Sequence, residues 1–266
     1  MRNSIFIALS ILLVVHSAAI VSRETTAHSK SQKEIIIHLP ENLENQRHFF
    51  SREIKLALDS TVAWFENNGF KIEKGDVIDS AYVFETAESA RIHCAKHFGI
   101  EKKNIPHTFS GTIDQKTLFL VTSEAYEKIF KELYSEEYWS MNEYRKLIIH
   151  ELAHRVHAII AKKLFGSEEG MGPRWFFEGL AIACAGQFAS QNNDNNLTWK
   201  EIKMVIEKDA RNLLEKPRYP IYKQIFKSLS TKISISWLIE HAGDENFINT
   251  LSKKFIKKEP GEKKLF

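Results

Sequence analysis

The chain has 266 residues, 43% of them hydrophobic and 27% charged, with a formal net charge of +3. That is ordinary globular composition, long enough for a sizeable core in one domain or two small ones. The basic residues are scattered and no basic stripe is interleaved with aromatics, so nothing argues for nucleic acid as a partner.

The first element is a leader. Arg2 precedes an apolar run from Ile5 to Val15, and Ser17-Ala18-Ala19 supplies the small residues a signal peptidase reads. The run is too short to span a bilayer comfortably, which predicts a signal peptide over residues 1–19 and a secreted, periplasmic or cell-envelope protein. The alternative is an uncleaved anchor. A polar linker over residues 20–33 follows. Glu34–Leu39 reads as a buried strand bounded by Pro40. The next helix carries Phe50, Ile54, Ala57, Leu58 and Thr61 on one face and stops at Asn68-Gly69. "DVIDSAYVFET" reads as a second strand, and "AESARIHCAKHFG" as a short helix closed by Gly99. "HTFSGTIDQKTLFLVTS" turns around Asp114-Gln115 between β-prone runs, the pattern of a hairpin.

The second half is mainly helical. Tyr138–Phe165 reads as one long helix ended by Gly166. "PRWFFEGLAIACAGQF" reads as another, with Pro173 at its start. A polar loop, "SQNNDNNLT", leads to four further helical segments within residues 199–255. The organisation expected is an α+β subdomain with an edge hairpin over 34–130, a helical catalytic subdomain over 131–258, and a solvated basic tail over 259–266. Cys94 and Cys184 lack the spacing of a zinc–thiolate site; an exported protein could pair them, but both sit in helix-like apolar contexts, where free buried cysteines are the favoured reading.

"HELAH" (His150–His154) lies inside the long helix. At 100° per residue, His150 and His154 fall about 40° apart, one turn along the axis. Ile148, Leu152, Val156, Ile159 and Met141 fall on the opposite side, predicting that this side is buried. Two imidazoles at this spacing can reach one metal ion. Glu151 is rotated off the ligand direction, where a carboxylate flanks a metal-activated water and takes its proton. A catalytic zinc needs a third protein ligand. Glu178, in "PRWFFEGLA", is a carboxylate in an apolar helix, where a charge must be paired or metal-bound; Gly179 beside it permits close backbone approach. His157 is the competing candidate, but it lies about 10 Å along the axis from His150 and otherwise reads as a cleft-lining or helix-surface residue. A second i,i+4 pair, His93 and His97, has no intervening glutamate and no third ligand, and reads as a solvated helix face.

From His150 to Ala181 the chain resembles the gluzincin zinc metallopeptidases of the peptidase MA-like families, whose pattern is HExxH followed by WxxEGxA. The resemblance implies a zincin-like fold: a small mixed β-sheet, an active-site helix and a mainly helical C-terminal half. It implies one Zn2+ held by His150, His154 and Glu178, Glu151 as general base, and a peptide or protein substrate. The upstream hairpin is similar to the edge hairpin with which such enzymes pair an extended substrate. Two departures stand out. Ile182 occupies the position where thermolysin-like members carry an Asp that orients a ligand histidine, so another group, such as a backbone carbonyl, must hold the tautomer. Lys227–Thr231 lacks the family's oxyanion-stabilising Tyr, leaving Tyr222, Tyr219 or His241 as substitutes. These departures keep open an alternative: a catalytically weak peptide- or protein-binding module on a peptidase scaffold.

Overall fold

The computed structural model describes residues 34–134, 139–188, 196–212 and 218–257. The leader, the linker and the basic tail lie outside them. Residues from Glu34 onward form one compact unit. Its elements are β1 (Ile36–His38), α1 (Arg47–Asn67), β2 (Ser80–Phe84), α2 (Ala87–Phe98), β3 (Gly111–Asp114), β4 (Thr117–Val121), α3 (Ser123–Tyr134), α4 (Met141–Phe165), α5 (Arg174–Ala185), α6 (Trp199–Ala210), α7 (Tyr219–Ser230), α8 (Ile235–His241) and α9 (Phe247–Lys257). The architecture is mixed α/β, with one small mixed sheet in a mainly helical chain.

The sheet has the order β1-β2-β4-β3. β1, β2 and β4 are parallel, and β3 returns antiparallel along β4, with Asp114 opposite Thr117. The expected hairpin therefore forms, with Gln115 at positive φ (+49°) in a two-residue connection. Side chains alternate across the sheet as the pleat requires. Ala81, Val83, Leu118 and Leu120 face the main core with α1 and α4. Phe119 faces the other way, with Cys94 of α2 and Ile105. β1 is an edge strand with only Ile37 buried, rather than the buried strand its apolar run suggested.

α1 buries the five residues its pattern selected and packs on α4. Arg145 Nε of α4 donates to the buried carboxylate of Glu53 on α1 at 2.8 Å. Tyr144, also buried, donates its hydroxyl to the Val121 carbonyl at 2.9 Å. α4 is thus pinned to both α1 and the sheet just ahead of His150. Ile148, Leu152, Val156 and Ile159 are buried as expected. Met141 is not: it is the first residue of the helix and is exposed.

His157 departs further from expectation. It is fully buried against Phe176, and neither ring nitrogen has a hydrogen-bond partner among the described residues. α4 is enclosed by α1, α3, α5 and β3, so a wheel that assumes one solvent side misplaces it. Burial, reinforced by the charge of His154, pushes the imidazole down to about 3. An unfolded histidine titrates near 6.5. The folded state therefore binds fewer protons than the unfolded one below that value, and stability falls as pH drops. Between pH 8 and pH 5 this contributes a loss of about 2 kcal/mol. We expect metal-free His157→Leu to lose about that much less between the two pH values. Urea midpoints of parent and variant at both pH values check this, and parallel losses would sink it.

Candidate metal centre

α4 presents His150, Glu151 and His154. It ends at Gly166 in the left-handed conformation (φ +78°), and a 3-10 turn, Glu168–Met171, leads the chain back into α5. α5 starts after Pro173 and brings Glu178 across α4. Gly179 is required next to it. A Cβ there would meet the Tyr222 carbonyl oxygen at 2.9 Å and Phe226 Cβ at 3.0 Å, so only glycine lets α5 lie this close to α7.

Three donor atoms converge. His150 Nε2 and His154 Nε2 are 3.0 Å apart. Glu178 Oε2 lies 3.2 Å from the first and 3.6 Å from the second. Ligands at about 2.0–2.1 Å from one tetrahedral ion sit about 3.3–3.4 Å from each other; the observed separations bracket that spacing. Glu178 Oε2 is also buried without a donor in hydrogen-bonding geometry. The residues fit a divalent ion with nitrogen and oxygen ligands, and His157 is not among them. Burial alone would push the Glu178 carboxyl up. The closeness of the His150 and His154 rings outweighs this and holds it well below the usual carboxylate range.

Glu151 is not one of the converging donors. Burial pushes its carboxyl up to about 7; the positive charge of His150 opposes this and the negative charge of Glu178 adds to it. It lies beside the edge strand: a Cβ on Gly111 of β3 would come within 3.4 Å of Glu151 Cγ. Two clefts meet at His150, Glu151, Gly111 and Tyr219. One extends past Thr112, Ile113, Met171 and Phe177. The other runs past Ser110 and Phe109 into an apolar recess walled by Ile129, Phe130, Leu133 and Phe188. α3, whose amphipathic pattern the strand-and-helix reading passed over, supplies most of that wall.

Of the three oxyanion candidates, only Tyr219 is at the site. Its ring centroid is 5.8 Å from that of His150. The negative charge of Glu178, then burial and Glu151, hold its phenol well above the usual range, so it stays a donor. Tyr222 is buried and donates to Asp209 at 2.5 Å. His241 bonds the Trp237 carbonyl through Nδ1 and stacks on that indole. The group on His150 Nδ1 is not a backbone carbonyl: it is the side-chain Oε1 of Gln187, at 3.0 Å. Sequence reasoning missed Gln187 because it extended α5 through it. The helix stops at Ala185, and the signal was Gly186, a left-handed cap that turns the next residue back.

The decoy pair does not gather ligands. His97 Nε2 bonds Asp114 at 2.8 Å, and His93 packs on the rings of Tyr82, Phe84 and Phe119. Cys94 and Cys184 are both free. No protein-family model, no curated protein and no solved structure matches this chain.

Proposed function

We propose that this protein is an exported zinc metallopeptidase of the gluzincin type with a zincin-like fold. The observation that carries the reading is the convergence of His150 Nε2, His154 Nε2 and Glu178 Oε2, with the Glu151 carboxyl, outside that set, beside the edge strand β3. Those three residues would hold the ion. When bound, zinc supplies Lewis acidity, lowering the pKa of a water toward about 7 and polarising a carbonyl oxygen. Glu151 takes the proton of the attacking water and delivers it to the leaving amine nitrogen. Tyr219 donates its O–H toward the carbonyl oxygen as negative charge develops there.

β3 aligns the substrate. An extended peptide added antiparallel to β3 runs from the Ile113 end to the Ser110 end. Residues before the scissile bond then lie along Thr112, Ile113 and Phe177, and the residue after it enters the apolar recess of α3. That recess favours a large apolar side chain. Among the described residues no helix is long and apolar enough to cross a membrane, and export rests on the N-terminal sequence.

Tyr219 and Gln187 favour the enzyme over the binding-module alternative, because they stand at the two functions the sequence left unfilled. The test is direct. Purified protein should carry about one zinc per chain and cleave an unfolded polypeptide, ahead of apolar residues. A chelator should abolish cleavage and zinc should restore it. Undiminished cleavage in chelator would remove the reading.

A further inference from the structure

Given the metal-centre reading above, we infer that Gln187 is the positioning residue of His150, a neutral amide doing what a carboxylate does in thermolysin-like relatives. The backbone builds it. Gly186, at φ +62°, donates its N–H to the Ala183 carbonyl at 3.2 Å, and Gln187 donates its own to the Ile182 carbonyl at 3.2 Å. This pair of bonds is a Schellman cap, which folds the residue after the glycine back along the helix. Phe188 follows at φ +58°, a conformation a bulky residue adopts only when its surroundings hold it there. Lys223 Nζ of α7 supplies the hold by donating to the Phe188 carbonyl. Gln187 is therefore fixed, buried, and aimed at His150.

Its chemistry follows. An amide oxygen accepts and cannot donate, so the 3.0 Å contact requires the proton on His150 Nδ1. That leaves the Nε2 lone pair directed at Glu178 and His154, the tautomer a metal needs. An amide also adds no charge. With one carboxylate among the three converging donors and an amide behind the His150 ring, that ligand set by itself compensates a divalent ion only by half.

The experiment uses the full chain and two variants, Gln187→Met, which keeps the size and removes the acceptor, and Gln187→Glu, which keeps the acceptor and adds charge. In the metal-free parent at mildly alkaline pH, histidine 15N spectra should show His150 protonated at Nδ1, identified by signals lost in His150→Asn. Gln187→Met should mix the two tautomers and weaken zinc binding by about 10- to 100-fold in chelator competition. Gln187→Glu should retain the Nδ1–H signature and bind zinc at least as tightly as the parent. A parent protonated at Nε2, unchanged zinc affinity in Gln187→Met, or equal losses in both variants would overturn the assignment. The tautomer measurement needs no metal or activity. Absence of zinc binding by the parent would instead count against the metallopeptidase reading.

Discussion

Glu151→Gln should abolish peptide hydrolysis while leaving zinc in place. The amide keeps the shape of the carboxylate but cannot take a proton from water or carry it to the departing nitrogen. A positioned general base contributes about 10²–10⁴-fold, and Glu151 is asked to act in both proton transfers. We expect kcat to fall by at least about 10³-fold, KM to stay within a few-fold, and zinc content to remain one per chain, because Glu151 is absent from the converging donor set. Glu151→Asp keeps the charge but draws the carboxylate back by about one bond. A misplacement of roughly 1 Å costs about 10² in rate, so this variant should fall between the parent and Glu151→Gln. Zinc content by metal analysis beside steady-state kinetics decides the matter. Comparable kcat in parent and Glu151→Gln would remove Glu151 from its role, and loss of zinc from Glu151→Gln would make it a ligand instead.

The three converging side chains were legible because their geometry is mostly local. The His150–His154 spacing needs only a helix, and Glu178 announces itself as a carboxylate among Trp175, Phe176, Phe177 and Leu180, where charge has to be compensated. Gly179 was readable for the same reason, and the close approach to α7 is what it serves. The hairpin and α1 were equally local, in turn chemistry and in a single apolar face. What failed was long-range. Which of Tyr219, Tyr222 and His241 reaches the site depends on how α7 and α8 lie against α5, and no spacing states that. His157 was misplaced because the faces of a helix packed on several sides cannot be ranked by hydropathy alone. Gln187 was lost to an error of three residues at a helix end. Moving the stop from Phe188 to Ala185 changes Gln187 from one more helical side chain into the acceptor behind His150. α3, too, is an omission its own sequence could have prevented, since Tyr126, Ile129, Phe130 and Leu133 recur at helical spacing.

Zinc should stabilise the parent and leave Glu178→Ala almost unmoved. Free zinc at 100 times the dissociation constant stabilises a folded state by about 2.7 kcal/mol. For a compact unit of this size that is a rise in Tm of roughly 5–10 °C. Among the described residues Glu178 Oε2 is one of three convergent donors, and it carries the negative charge of that set. Its removal should cost about a third of the binding free energy, on the order of 3–5 kcal/mol or 10²–10⁴-fold in affinity. At the same zinc concentration the variant's shift should then shrink to about 1 kcal/mol or less. His150→Ala should behave likewise, with the further loss of the ring on which Gln187 acts. His157→Leu should show the full parental shift, since His157 packs on Phe176 away from the donors. Thermal melts with zinc and with chelator distinguish these cases. A parental shift in Glu178→Ala, or its disappearance in His157→Leu, would mean that the ion is held by a different set of side chains.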